Sequence, residues 1–259
     1  MSDVDFTTVC FDVSPAHVAT ITLDRPHVLN AFNETMLQEF GEIWRRCRTD
    51  DDIHAVVLRA NGERAFSTGV DRKEGRDRHP NPFSEEDPGF YLGAKQNRVW
   101  KPLLCALHGM VAGGAFYWVN EADVVICADD TTFFDPHTTY GMASALEPAG
   151  LLRRMPFGEV MRIALFGLDE RMSAARAREI GLVSEVVPRA HLWARADELA
   201  NRLADKPPLA VQGTVKAVWD SLSMSPEAAR QVPLLYPQLT NPLTKVDFVK
   251  EDRPPYELR

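Results

Sequence analysis

The sequence is poor in the residues that build disulfides and zinc sites. Its 259 residues include four cysteines, and no two of them form a Cys-x-x-Cys pair. Cys10, Cys47, Cys105 and Cys127 lie in apolar or helical patterns, which are typical of reduced cytosolic cysteines. There is no His-Glu-x-x-His segment and no cluster of cysteine with histidine, so the sequence predicts no metal site.

Long apolar runs and an excess of positive charge are also missing. No apolar stretch approaches the roughly 20 residues of a membrane span, and residues 1–5 are acidic without the apolar core of a signal peptide. We therefore expect a cytoplasmic protein without a membrane partner. The 29 basic residues against 37 acidic ones argue against a nucleic-acid partner, although a local basic patch could still bind a polyanionic ligand.

The sequence alternates between strand-like and helix-like segments, which indicates an α/β fold with parallel strands and crossover helices. Strands are predicted at 18–23, 55–58, 124–128 and 132–135. A helix begins near Glu34, capped by Asn33, and the chain is mainly helical from Gly158 onward. The polar, proline-rich segment 72–98 is interpreted as a covering loop over a site followed by a helix, with a plain surface insertion as the alternative.

Two glycine-bearing turns carry most of the functional information. Residues 65–71 (AFSTGVD) and 108–116 (HGMVAGGAF) are strand-like runs that break at glycine, each predicted to open a helix. Such a turn leaves backbone N–H groups unpaired and pointing outward. Two turns that face each other could hold one developing negative oxygen, which would make an oxyanion hole from the backbone alone.

The same turns resemble the crotonase superfamily of enoyl-CoA hydratases and isomerases. The likeness is carried by Phe66-x-x-Gly69-x-Asp71 and, downstream, by Gly109-x-x-x-Gly113-Gly114. It extends to segment 23–32, similar to the family's Arg-Pro-x-x-x-Asn-Ala signature, and to segments 122–128 and 172–183. The resemblance implies an α/β spiral of ββα repeats. It implies a core over residues 1–190 and a C-terminal helical region, 191–259, that trimerises or covers the site.

The resemblance also implies a set of reacting groups. The oxyanion donors would be the N–H groups of Val70 and Gly114. The two glutamates of the family's hydratases fall at Tyr117 and His137, so both are replaced, which puts ordinary two-carboxylate hydration in question. Glu147 lies where some family isomerases place an acid.

The roles of these side chains stay open at the level of sequence. His137 could be a general acid or base, or a structural histidine. Tyr117 could donate a proton or hydrogen bond, or only pack. Glu147 could do chemistry or cap a helix. Asp135 could orient the imidazole of His137, and Asp71 is interpreted as a structural cap.

Coenzyme A contacts follow only loosely from the resemblance, and coenzyme A enters as part of the substrate with no separate cofactor. The residues that it assigns to coenzyme A are Arg25, His27, Val28, Leu29, Ala65, Ser67 and Lys73.

The sequence thus predicts an acyl-CoA enzyme that stabilises a thioester enolate, with hydration and isomerisation ahead of thioester hydrolysis and carbon–carbon cleavage. The alternative is an acyl-CoA-binding relative without hydratase activity. A serine hydrolase is disfavoured because no Gly-x-Ser-x-Gly elbow occurs. The resemblance and the apolar helical tail predict a homotrimer or a dimer of trimers.

Overall fold

Two β-sheets organise the chain, and the connections between them decide where the site lies. A computed structural model describes residues 5–74, 81, 83, 87–240 and 256–259. The strands are β1 Val9–Val13, β2 Val18–Leu23, β3 Ala55–Ala60, β4 Ala65–Ser67, β5 Leu103–Leu107, β6 Met110–Ala112, β7 Val124–Ala128, β8 Thr132–Phe134, β9 Met172–Ser173 and β10 Glu185–Val187. The helices are α1 Glu34–Thr49, α2 Gly89–Leu92, α3 Phe116–Glu121, α4 Leu146–Leu151, α5 Phe157–Phe166, α6 Ala174–Glu179, α7 Leu192–Ala204, α8 Pro208–Ser221, α9 Ala228–Gln231 and α10 Leu235–Thr240.

The chain passes repeatedly from one sheet to the other. The larger sheet has the order β1-β2-β3-β5-β7-β10 and the smaller one β4-β6-β8-β9. Each pair β3–β4, β5–β6 and β7–β8 therefore contributes one strand to each sheet. The pairs β2–β3, β3–β5, β5–β7, β4–β6 and β6–β8 are all parallel. The prediction of a parallel α/β spiral is confirmed, since parallel neighbours require such crossovers.

Helix α1 supplies much of the core on one face of the larger sheet. Asn33 caps it through a 3.0 Å hydrogen bond from the Met36 N–H to Oδ1, as predicted. Its apolar face, which includes Phe40 and Trp44, is buried with Val56 and Leu58 of β3. The intervening residue of β3, Val57, faces the opposite side, as the two-residue period of a strand requires.

Helix α7 covers that opposite face. Leu192, Ala196 and Ala200 are fully buried against Val57 and Leu104. Small residues at this spacing let the helix axis approach the sheet closely. Helix α7, the first α-helix after residue 190, thus shares a core with the strands of the larger sheet. The predicted boundary between a core at 1–190 and a helical region at 191–259 remains a prediction.

The first glycine turn differs from the expected strand-to-helix junction. Val70 forms a short parallel bridge with Phe32, and residues 72–74 form a turn. Much of the predicted covering loop, residues 75–80, 82 and 84–86, lies outside the described residues. The helix expected after it is α2. No helix of the described chain combines the length and the apolar composition needed to cross a membrane.

Candidate active site

The two glycine turns meet at the ends of the adjacent strands β4 and β6. Gly69 and Gly113 have φ angles of +86° and +52°, a region that glycine adopts without strain. A Cβ atom on Gly69 would lie 2.7 Å from the Gly114 nitrogen. The two backbones therefore touch at a point where no side chain fits.

The amides predicted as oxyanion donors lie on the two sides of this contact. The bridge beside Val70 uses the N–H groups of Phe32 and Asp71, with N···O distances of 2.8 Å each, so the Val70 N–H is not part of it. Gly114 lies in the first turn of the 3-10 helix Gly113–Ala115, where N–H groups have no partner within the helix. Both residues border a cavity of about 420 Å³, also lined by Pro136, His137, Tyr140 and Met142.

His137 faces this cavity and is held by Asp135. Strand β8 ends at Phe134, one residue before the predicted end, so both residues lie beyond the strand. Asp135 Oδ1 instead accepts a 3.1 Å hydrogen bond from the His137 backbone N–H and a second one from Nδ1 of the ring. An ionised carboxylate only accepts hydrogen bonds, so the proton is assigned to Nδ1 and Nε2 is left for other partners.

The groups around the imidazole shift the pKa values of both His137 and Asp135. The hydrogen bond to Asp135 raises the pKa of His137, outweighing burial, which alone would lower it. Burial would by itself raise the pKa of Asp135, but hydrogen bonds from His137 and from the Ser144 hydroxyl bring it below its usual value. Asp135 is fully buried and ionised, and therefore favours the imidazolium form of its neighbour.

Glu147 lies across from the imidazole in the first turn of α4. Its Oε1 is 3.8 Å from Nε2 of His137, and burial raises the pKa of its carboxyl group. Three side chains, Asp135, His137 and Glu147, each offer one possible ligand atom, and these three atoms lie within 4.8 Å of one another. Such a group could hold a cation, and the expectation that the protein needs no metal stays a prediction.

Tyr117 lies on α3, one turn beyond the second glycine turn. Its Cε2 atom is 3.3 Å from the position of a Cβ on Gly114, and its hydroxyl donates a 3.1 Å hydrogen bond to Asp87 Oδ2. Burial and the nearby Glu147 and Asp87 carboxylates raise the pKa of the phenol, which keeps it neutral. Tyr117 also borders a second cavity, of about 300 Å³, lined further by Asp87, Phe90, Asn120, Leu146 and Arg153.

The segments assigned to coenzyme A lie side by side. Leu29 and Asn30 have φ angles of +58° and +53°, and Asn30 fixes this bend by donating a 3.0 Å hydrogen bond to the Ala65 carbonyl. The Ser67 hydroxyl donates to the Asn30 carbonyl at 2.8 Å. Segment 27–29 thus runs along β4, while Ala65 and Ser67 are buried. The assigned side chains of His27 and Lys73 are exposed, and those of Val28 and Leu29 are half-buried.

Arg25 is in a different situation from the other residues assigned to coenzyme A. Its guanidinium is buried, donates to Asp71 at 3.1 Å and to the Ala31 carbonyl at 2.7 Å, and pairs with Glu74. Asp71 in turn accepts a 3.0 Å hydrogen bond from the Lys73 N–H, which holds a turn. This pairing favours a structural role for Arg25 over a contact with coenzyme A.

The structure brings Val70, Gly114, Tyr117, His137 and Glu147 to one region, as their assignment to a single site requires. Two partners were not found from the sequence: Asp87, which binds Tyr117, and Ser144, which binds Asp135. Neither belongs to a periodic pattern. The Asp87-Pro88-Gly89 run signals a turn, but nothing local says which side chain that turn contacts.

Comparison with known proteins agrees with this arrangement. Residues 14–238 match the family described as enoyl-CoA hydratase/isomerase. The chain is 33% identical over 207 residues to an (E)-benzylidenesuccinyl-CoA hydratase of Thauera aromatica, covering 78% of each chain. It is 31% identical over 221 residues to a carnitinyl-CoA dehydratase of Escherichia coli, covering 83% of this chain and 82% of the relative.

The solved structures agree in fold. An enoyl-CoA hydratase/isomerase from Mycobacterium paratuberculosis superimposes with a TM-score of 0.84 at 34% identity, over 91% of each chain. The family match spans most of the sequence and both sheets. This chain is a member of the enoyl-CoA hydratase/isomerase family.

Proposed function

We propose that the protein binds the thioester carbonyl of an acyl-CoA between the N–H groups of Val70 and Gly114. The proposal is supported above all by the contact of the two glycine turns beside the 420 Å³ cavity. Two amides aimed at one oxygen stabilise the enolate more than the ground-state carbonyl, because the negative charge develops only as the α-carbon loses its proton. Coenzyme A would extend along segment 27–29 and β4.

The reaction that fits best is reversible hydration of an α,β-unsaturated thioester. Water adds its oxygen to the β-carbon, and a proton is placed on the α-carbon. His137 and Tyr117 would stand where the family's hydratases carry glutamates. Glu147 would share one proton with His137, so that either imidazolium with carboxylate or imidazole with carboxylic acid is present. This pair can take a proton from water and return one to carbon.

The names of the relatives support hydration over the other family reactions, since one is a hydratase and the other a dehydratase. Double-bond isomerisation needs the same enolate but moves a proton between two carbons and consumes no water. The two reactions therefore differ in their products, although they share the proposed site.

A panel of enoyl-CoA thioesters tests the proposal. We expect loss of the conjugated thioester absorbance, formation of the hydroxyacyl-CoA by mass spectrometry, and solvent deuterium at the α-carbon of the product. If the products have the mass of the substrate and a moved double bond, the reaction is isomerisation and the proposal of hydration is wrong. Tight binding of acyl-CoA without turnover or α-carbon exchange on any thioester would leave only the acyl-CoA-binding alternative.

A further inference from the structure

Tyr117 lines the second cavity, and its ring and its hydroxyl meet different surroundings. Its ring lies beside Gly114, at the cavity with the glycine turns. Its hydroxyl donates a hydrogen bond to Asp87, which also lines the second cavity. Asp87 therefore contacts a group that we place in the reaction, although it comes from a distant part of the chain.

Residues 87–89 fit closely against the tyrosine. Asp87 Oδ1 accepts a 2.7 Å hydrogen bond from the Gly89 N–H, and Oδ2 accepts the bond from the Tyr117 hydroxyl. A Cβ atom on Gly89 would lie 3.0 Å from Tyr117 Cδ1 and 2.8 Å from Asp87 Oδ1. Only a residue without a side chain allows the backbone this close to the ring. The two oxygens of Asp87 have separate partners, the Gly89 N–H and the Tyr117 hydroxyl.

These bonds determine which way the hydroxyl points. A phenol has one proton, and an ionised carboxylate can only accept, so the proton of Tyr117 is directed to Asp87. The lone pairs of the phenol oxygen are then left for donors on its other side. The bond to Asp87 thus holds the hydroxyl in one direction, while the ring packs beside Gly114.

We propose that Asp87 is the positioning residue of Tyr117: by accepting the hydroxyl proton, it holds the phenol in one orientation beside Gly114 and leaves the lone pairs of the phenol oxygen to accept a hydrogen bond in the site. This inference rests on the proposed function. No proton is transferred to Asp87; the single proton shared by His137 and Glu147 stays between those two groups and the substrate. Asp87 acts on the reaction only through Tyr117.

The substitution Asp87→Asn tests the idea without dismantling the turn. The amide oxygen can keep the bond from the Gly89 N–H, while an NH₂ group replaces Oδ2 and reverses the hydrogen bond to Tyr117. We expect kcat on the best enoyl-CoA to fall by about tenfold, as for loss of one charge-assisted hydrogen bond. KM should stay near the wild-type value, because Asp87 has no proposed contact with coenzyme A. Asp12→Asn, which removes an exposed carboxylate on β1, is the control of equal charge.

A double-mutant cycle separates positioning from a structural role. In a Tyr117→Phe background, Asp87→Asn should change kcat little further, since the group it acts through is gone. Equal falls in both backgrounds, or full activity of Asp87→Asn, would overturn the inference while leaving the proposed function intact. If Asp87→Asn does not fold, Asp87→Ser, which retains an acceptor for the Gly89 N–H, takes its place in the cycle. A wild-type protein without turnover on any thioester would refute both the inference and the function on which it rests.

Discussion

His137 is the residue on which the proposed chemistry depends most directly. We expect His137→Gln to lower kcat by ~100-fold or more, within the range of ~10²–10⁴ typical of general acid–base groups. Binding of a saturated acyl-CoA should be nearly unchanged, because the amides that we propose as oxyanion donors belong to the backbone. Steady-state kinetics and calorimetry measure the two effects separately.

The rival assignment gives the opposite pattern. If Glu147 alone carries the proton, Glu147→Gln abolishes turnover, whereas His137→Gln mainly lowers the melting temperature. A folded His137→Gln protein with full activity on its best substrate would contradict the assignment of the general acid–base role to His137.

The pH dependence follows from the hydrogen bond between His137 and Asp135. Because that bond raises the pKa of His137, imidazolium persists to higher pH than for an isolated histidine. If neutral His137 is the base, kcat/KM should rise with pH through a midpoint above the ordinary value of about 6.5. If imidazolium is the required acid, kcat/KM should instead fall through that midpoint as the pH increases.

Asp135→Asn identifies the group that titrates. It removes the main cause of the raised pKa, so the midpoint should move to lower pH in either case. A midpoint that does not move would assign the titration to another group. Glu147→Gln is the comparison, because its charge is a lesser cause of the raised pKa and its removal should shift the midpoint less.

At the scale of elements, the contact of the two turns is the feature most sensitive to substitution. Gly69→Ala would strain a residue with φ of +86° and place a Cβ atom 2.7 Å from the Gly114 nitrogen. We expect lower stability because the two turns must separate. We also expect a loss of kcat, since the two amides of the proposed oxyanion hole would then no longer converge on one oxygen. Thermal melts and kinetics on the same preparation measure the two losses.

Gly41 offers a matched control for that substitution. It lies inside α1, where a Cβ atom would meet nothing within 4 Å. Gly41→Ala should stabilise the protein by about 0.5–1 kcal/mol, because alanine loses less backbone entropy in a helix. Activity should not change. Equal loss of activity in the two variants would contradict the importance of the turn contact.

At the scale of the whole molecule, exposed apolar side chains support the predicted assembly. Leu222, Leu234 and Leu235 in the C-terminal helical part are each more than half exposed, as are Phe157 and Leu165 on α5. Apolar surface of this kind marks interfaces. We expect sedimentation to give three or six times the chain mass of 29.0 kDa.

Substitutions in the C-terminal helical part test which surface forms the contacts between subunits. Leu234→Glu combined with Leu235→Glu should shift the protein toward smaller species, whereas Val13→Glu, at an exposed site on β1, should not. A monomer at micromolar concentration in the wild-type protein would rule out the predicted trimer.

The sequence by itself determined the features that depend on neighbouring residues. Alternating strand and helix patterns predicted the parallel α/β fold, Asn33 identified the start of α1, and the glycine turns indicated where the backbone amides of Val70 and Gly114 lie. Each of these signals is local, because φ angles, caps and side-chain periodicity are set within a few residues.

Only the tertiary structure decided which groups meet across the chain. The partner of Tyr117 is Asp87, thirty residues away. The guanidinium of Arg25 is paired with Asp71, although the resemblance assigned Arg25 to coenzyme A. The 3.8 Å distance between His137 Nε2 and Glu147 Oε1 brings together the segment after β8 and the first turn of α4. Such pairs result from the path of the chain between the two sheets, and no local pattern of residues encodes that path.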